Sequence, residues 1–73
     1  MSKKLTSLSK DSMGIISKIV RNDVSEKLNE LGIFEGSEVK LIEKLPFKGP
    51  LCIWVEENRI VLRHSEAKAI LVK

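Results

Sequence analysis

The sequence predicts a small, mainly β domain in which about five short strands form a barrel, with one short helix and a C-terminal helical turn. Short segments rich in β-branched residues recur along the 73-residue chain, and turn-forming residues separate them. Only one segment has apolar residues at helical spacing. The length is that of one domain, so we assign residues 1–73 to a single domain with a thin core.

The chain is predicted to begin with a loose lead-in over residues 1–8, because this segment is polar apart from Leu5 and Leu8. Its lysines are not followed by a long apolar stretch, so the segment does not resemble a secretory signal. The first strand is predicted at residues 13–20, where Ile and Val predominate.

A short helix is predicted next. Asp23, with Glu26 three residues later, has the spacing of a capping box. Gly32 lies where a left-handed residue ends a helix, and Ile33 can fold back on the last turn. So short a helix is not stable alone in water, so its apolar stripe should dock on the sheet. The stripe consists of Val24, Leu28 and Leu31.

The remaining strands follow from alternation and turn chemistry. Residues 38–44 predict a strand, and residues 45–50, which contain Pro46, Gly49 and Pro50, predict a loop. Strands at 51–56 and 59–63 would form a hairpin around a two-residue turn at Glu57-Asn58. The residues expected to face inward are Val39, Leu41, Leu51, Ile53, Val55, Ile60 and Leu62.

The C-terminal part is predicted to hold one helical turn, capped by Ser65, and a closing strand at residues 69–72. Five short strands with tight connections and one small helix are typical of an SH3-like barrel.

The predicted hairpin register leaves apolar residues on the outside of the sheet. A two-residue turn at Glu57-Asn58 pairs Trp54 with Val61, and both would then face outward. Ile42 would lie on the same side, and Phe47 could extend the patch from the loop. We predict a partner-binding surface, because a soluble monomer rarely exposes such a patch. An alternative is that the N-terminal segment, with Leu5 and Leu8, covers it. The predicted surface comprises Ile42, Phe47, Trp54 and Val61.

Composition argues against several functional classes. The formal net charge of +3 is small, and acidic residues alternate with the basic ones, so nucleic acid is not the expected partner. No apolar run approaches the roughly 20 residues of a membrane span, and we expect no direct membrane insertion. The single cysteine, Cys52, fits a reducing cytoplasm.

The sequence contains no pattern of an enzyme or a metal centre. Ser65 follows His64, but adjacent residues on an extended chain point to opposite faces, so no catalytic pair is predicted. His64 has Glu66 two residues later and Cys52 on a strand across the sheet as its possible co-ligands. These are too few ligands, so no metal site and no cofactor are predicted. For Arg63 we favour a structural tie over a role toward a partner GTPase.

A series of landmark residues recurs in a fixed order along the chain. They are Leu28, Leu31-Gly32, Gly36, Val39, Pro46, Gly49-Pro50, Ile60, Leu62-Arg63, Glu66-Ala67 and Ile70–Val72. With these residues, the chain from about Ser9 to Val72 resembles the ferrous iron transport protein A (FeoA) family. It differs from the family pattern at the hairpin tip, which usually contains a glycine, and at Cys52 and Trp54, where the outward positions of the third strand are usually polar.

The resemblance implies a non-enzymatic cytoplasmic accessory protein of ferrous iron uptake. Its expected partner is the cytoplasmic GTP-binding part of the FeoB-type membrane iron transporter, and self-association is a further expectation. Transition metal binding is also associated with such domains. One alternative is a metal- or peptide-sensing module like the terminal domain of metal-dependent repressors. A second alternative is a small RNA-binding barrel, which a steep salt dependence of RNA affinity would support.

Overall fold

The computed structural model describes residues 2–73 and consists of a curled antiparallel sheet with two short helices. The prediction of a mainly β domain is confirmed, with six strands in the order β1-β6-β2-β3-β4-β5. Within residues 2–73, no helix has the length and apolar character needed to cross a membrane. The elements are β1 (Lys3–Lys4), a 3-10 turn (Leu5–Ser7), β2 (Met13–Ile19), α1 (Ser25–Glu30), β3 (Glu38–Lys44), β4 (Leu51–Val55), β5 (Asn58–Leu62), α2 (His64–Ala67) and β6 (Ile70–Val72).

Strand β2 connects the two halves of the sheet, because its two ends pair with different neighbours. Residues 13–15 pair with β3, and residues 16–19 pair with β6, with a register shift between Ile16 and Lys18. The sheet therefore curls around one apolar core. The largest fully buried side chains are Leu5, Ile16, Leu28, Ile33, Leu41, Leu51, Ile53, Leu62 and Ile70.

The N-terminal segment is part of this core. Strand β1 pairs with β6 at the edge of the sheet. Leu5 is fully buried, and Leu8 is almost fully buried. The prediction of a loose lead-in over residues 1–8 is therefore wrong for residues 3–8, while Met1 lies outside the described residues. The local pattern is polar, and only pairing with a strand more than sixty residues away reveals the segment's place.

Helix α1 ends as predicted at Gly32, which has φ of 90°. The Ile33 N–H donates to the Leu28 carbonyl and the Gly32 N–H donates to the Asn29 carbonyl, each at 3.0 Å. These two bonds form a Schellman motif, which requires a left-handed residue at the glycine position. Leu28 and Ile33 are both fully buried, so the motif fastens the helix end to the core.

Helix α1 differs from the prediction in its first residue and in the exposure of Leu31. The N-cap position is Val24, which makes no side-chain cap. Asn22 closes the turn before the helix, because its Oδ1 accepts a hydrogen bond of 2.9 Å from the Val24 N–H. Asp23 and Glu26 are exposed and form no capping box, because the helix begins only at Ser25. Leu31 is 38% exposed, so Leu28 provides most of the apolar contact of this helix.

The β4–β5 hairpin turns one residue earlier than predicted, at Glu56 and Glu57, and Glu56 adopts φ of 56°. Trp54 therefore pairs with Arg59 rather than with Val61. Because the partner changes by two residues, every side chain keeps its predicted face. The inward residues are buried as predicted: Leu51, Ile53, Val55, Ile60 and Leu62.

The β3–β4 connection, predicted as a loop, ends in a tight two-residue turn at Phe47 and Lys48. Their φ values are 60° and 57°, and the Gly49 N–H donates to the Pro46 carbonyl at 3.1 Å. This is the arrangement of a type I′ turn, which Asn-Gly normally occupies. A non-glycine residue in this conformation costs roughly 1–2 kcal/mol, so the tip of the hairpin is strained.

The buried position of Leu28 leads to a first prediction. Leu28→Ala should lower the free energy of unfolding by about 2–5 kcal/mol, because it leaves a cavity where the helix contacts the core. Leu31→Ala, on the same helix but partly exposed, is the matched control and should cost much less. Urea unfolding of the two variants measures both values. Equal losses would contradict the docking of α1 through Leu28.

The strained turn leads to a second prediction. Lys48→Gly should raise the free energy of unfolding by about 1 kcal/mol, because glycine adopts positive φ without the steric cost. Glu57→Gly is the control, since Glu57 is an exposed turn residue without positive φ, and glycine there should slightly destabilise the domain. Thermal unfolding of both variants tests the difference, and a lowered midpoint for Lys48→Gly would argue against the strained turn.

Candidate functional site

The candidate site is the outer face of the sheet, which we define as the side of β3, β4 and β5 turned away from the core. Trp54 lies on this face and is 43% exposed, and Val61 is 65% exposed. The register places Val61 opposite Cys52, two residues from Trp54. Trp54 and Val61 are thus diagonal neighbours, a separation that an aromatic side chain can span.

The apolar surface continues toward the hairpin tip through Leu45 and Pro50. Leu45 is exposed, and its N–H donates to the Pro50 carbonyl at 3.1 Å. Both residues line a concavity of about 200 Å³ together with Val61. Leu45 and Pro50 are not among the residues predicted from the sequence, because Pro46, Gly49 and Pro50 indicate a loop rather than a continuation of the hairpin. The remaining lining residues are Glu43, Leu51, Cys52 and Arg59.

The four residues predicted to bind a partner are only partly gathered on this face. Trp54 and Val61 lie on it, and Phe47 lies beyond it at the tip, fully exposed. Ile42 is half-buried and lies at a register irregularity between Leu41 and Glu43, which removes it from regular alternation. The structure therefore brings Trp54 and Val61 together on one face, while Phe47 lies beyond it and Ile42 is half-buried in the bulge of β3.

The N-terminal segment does not cover the outer face. Its two leucines, Leu5 and Leu8, belong to the core cluster, while Trp54 and Val61 stay exposed. The apolar side chains on the outer face therefore have no role in closing the core.

Basic side chains flank Trp54 on both neighbouring strands. Lys40 pairs with Trp54 from β3, and Arg59 pairs with it from β5. The Arg59 Nε–H donates to the Cys52 sulfur at 3.2 Å, which holds the guanidinium along the face. This hydrogen bond and the attraction to Cys52 raise the pKa of Arg59 above its usual value. Trp54 is thus flanked by two cations, and Glu43, opposite Cys52, adds one acidic group to the same face. This arrangement suits a partner with apolar and charged groups.

Two of the three side chains considered as metal ligands, Cys52 and Glu66, have other partners. The Glu66 carboxylate accepts a hydrogen bond of 2.8 Å from the Arg63 N–H and pairs with Lys27 at 2.5 Å. Within residues 2–73, no group of three or more His, Cys, Asp and Glu side chains is placed to hold a metal ion. The turn at His64 and Glu66 is therefore a structural connection between α1 and α2.

Glu66 also performs two roles that the sequence analysis gave to its neighbours. It caps α2 by accepting the Arg63 N–H, whereas Ser65, the predicted cap, lies exposed inside the helix. The tie expected from the Arg63 guanidinium is made by its backbone N–H. Glu66 is nearly fully buried, and the hydrogen bond from Lys27, followed by that from Arg63, lowers its pKa below the usual value.

Comparisons with known proteins agree in fold and in family. The model of the FeoA domain matches residues 3–73. The solution structure of a FeoA-like protein from Clostridium acetobutylicum has a TM-score of 0.89 and 30% identity, covering 99% of this chain and 85% of that chain. No curated protein sequence matches the chain.

Two further structures define the fold. Stenotrophomonas maltophilia FeoA complexed with zinc, described as a prokaryotic SH3 domain protein, has a TM-score of 0.83 and 29% identity over 97% of this chain and 89% of that one. This confirms the predicted SH3-like fold. A manganese-dependent transcriptional repressor complex with manganese has a TM-score of 0.92 but only 19% identity, covering 99% of this chain and 36% of that one. Its likeness concerns the fold alone.

The buried carboxylate leads to a third prediction. Because the pKa of Glu66 is lower in the folded chain than in the unfolded one, its contribution to stability is present above the unfolded value and is lost as pH falls through the folded value. Glu66→Gln should therefore cost about 1–3 kcal/mol at pH 7 and much less near pH 3. Urea unfolding at both pH values measures the loss, and Glu57→Gln at an exposed turn controls for the removed charge. A cost independent of pH would contradict an ionised Glu66.

Proposed function

The chain belongs to the FeoA domain family, and from this membership we propose that it is a non-enzymatic accessory protein of ferrous iron uptake in the cytoplasm. It docks on the cytoplasmic GTP-binding part of a FeoB-type iron transporter. The S. maltophilia relative, considered as a bacterial ferrous iron transport activating factor, supports the link to ferrous iron transport. Iron is the cargo of the partner in this proposal, not a ligand of this chain.

The observation that supports docking best is the exposed outer face with Trp54 at its centre. Tryptophan and arginine are the residues that most often dominate binding energy at protein interfaces, and here Trp54 is paired with Arg59. Val61 and Leu45 extend the apolar area, while charged side chains surround it, as at interfaces with an apolar centre and a polar rim.

The architecture behind this face suits docking without rearrangement. The inward residues of β3, β4 and β5 are fully or almost fully buried, so the strands that present Trp54 are held by the core. A face on paired strands is fixed more firmly than one on a loop, so binding requires little ordering of the backbone. The mechanism is surface recognition: the domain binds the transporter and changes its activity or assembly through that contact.

The fourth prediction tests this proposal. Trp54→Ala should weaken binding to the purified cytoplasmic part of the transporter by at least about 30-fold, the effect of losing an interface hot spot of 2 kcal/mol. The fold should stay intact, because Trp54 faces away from the core. Biolayer interferometry measures the affinity, and thermal unfolding checks the fold.

Phe34→Ala is the matched control, because Phe34 is an exposed aromatic residue that lies before β3 and lines a different concavity, away from Trp54. Equal affinities for the wild type, Trp54→Ala and Phe34→Ala would exclude the outer face as the docking surface. If Trp54→Ala instead abolished dimerisation in sedimentation experiments while transporter binding was unchanged, the face would be a self-association surface and the proposal would be wrong.

A further inference from the structure

Phe47, at the tip of the β3–β4 hairpin, is the most exposed of the large apolar side chains within residues 2–73. Phe47 is 99% exposed, although burying such a side chain would stabilise the fold. Both residues of the turn, Phe47 and Lys48, have positive φ, so the backbone is strained at the point where the ring is presented. Strain of this kind is concentrated at functional sites.

The tip is also held rigidly. A hydrogen bond from the Gly49 N–H to the Pro46 carbonyl closes the turn. Glycine fits at position 49 because a Cβ there would approach the Pro46 oxygen to 3.0 Å. At the base of the tip, Lys44 Nζ donates to the Thr6 and Leu8 carbonyls at 3.1 Å each. The phenylalanine is therefore displayed on a fixed projection.

The surroundings of Phe47 are basic. Phe47 lines a shallow concavity of about 300 Å³ with Lys44, Lys48 and His64, and no acidic side chain lines it. The other lining residues are neutral: Thr6, Leu45 and Pro46.

A second exposed phenylalanine provides an internal contrast. Phe34, which precedes β3, is 52% exposed and lines a different concavity. That concavity contains Glu26 and Glu35 and only one basic residue, Arg21. The two phenylalanines are thus exposed in opposite surroundings, Phe47 among basic and Phe34 among mainly acidic side chains.

We propose that the hairpin tip, residues 46–49, is a contact site for an anionic lipid bilayer: the Phe47 ring enters the headgroup region and Lys48 binds a lipid phosphate, while the charge of Lys44 at the base of the tip adds attraction to the anionic surface. A bilayer interface accepts a projecting apolar ring without needing a shaped pocket, and basic residues beside such a ring add attraction to anionic lipid. The contact is peripheral and requires no membrane span. It extends beyond the proposed function, because it needs only lipid.

The projection fits a bilayer better than a nucleic acid. Single-strand binding uses aromatic platforms along a basic groove, with several rings for successive bases. Phe47 is instead a lone ring at the apex of a turn, and the chain contains only two phenylalanines and one tryptophan. One ring with two lysines gives weak attachment, which suits a contact that assists another interaction.

The test uses a fluorescent reporter in the full chain. Trp54→Phe combined with Phe47→Trp places the single tryptophan at the tip, and Trp54→Phe combined with Phe34→Trp is the matched control. Vesicles of equal parts phosphatidylglycerol and phosphatidylcholine are titrated against each protein. We expect a blue shift and protection from acrylamide for the tip reporter only. Partitioning should be roughly thirtyfold weaker into vesicles of phosphatidylcholine alone, the factor for two lysines near an anionic surface.

Vesicle co-sedimentation of chains without a reporter is the second measurement. Phe47→Ser should reduce the bound fraction severalfold, and Phe34→Ser should not. Lys48→Gln should weaken binding about fivefold, the factor for one lysine, and Lys44 is left unchanged because it holds the N-terminal segment.

Three results would overturn the proposal. The first is an unchanged tryptophan emission wavelength of the tip reporter at millimolar lipid. The second is an equal blue shift in the Phe34→Trp control. The third is equal partitioning of the protein into anionic and zwitterionic vesicles. A shift induced by a single-stranded oligonucleotide without lipid would point to nucleic acid instead. The vesicles contain no protein, so loss of transporter binding in Trp54→Ala leaves this test unaffected.

Discussion

The structure depends on β2 being shared between two parts of one sheet. Its first residues pair with β3 and its last with β6, so the sheet must curl, and a single core forms inside the curve. A sheet this small does not fill that space with its own side chains. Leu5 from the 3-10 turn and Leu28 from α1 complete the core, and both are fully buried. The Lys27–Glu66 ion pair then connects the two helices, so that segments far apart in the chain support one another.

Because the core is small, the apolar residues that face it and those on the outer face have different explanations. Inward residues of β3, β4 and β5 are needed for the core. Trp54 and Val61 lie outside the core cluster, so core packing does not explain why these exposed positions carry apolar side chains. Phe47 is a stronger case, since its exposure coincides with a strained backbone. The two surfaces differ in character: one is a broad face on paired strands, the other a narrow projection among lysines.

Sequence reasoning recovered what local chemistry determines. Gly32 predicted the end of α1, because only a left-handed residue completes that motif. The alternation of apolar residues correctly predicted which side chains of β4 and β5 face inward. The predicted turn was wrong, but the register differs by two residues, so each side chain remains on its predicted face. The turn itself was misplaced because Asn58 favours the left-handed conformation that Glu56 adopts instead. Pairing between distant segments has no local signal in the sequence, so the strand at Lys3–Lys4 and the burial of Leu5 were not predicted. Both depend on contact with β6. The bulge at Ile42 and the pairing of Leu45 with Pro50 were likewise not visible in the alternation of the sequence.

The pairing of β1 with β6 also places the two ends of the fold side by side, with Lys3 opposite Val72. A domain closed in this way can be joined to other chains at either end, or set within one, with little disturbance of its sheet. It is also a natural scaffold for circular permutation: a short linker would bridge the adjacent ends, and new ends could be opened elsewhere on the surface. The likeness to a repressor of which the domain covers 36% fits such modular use, since the fold recurs there within a longer polypeptide.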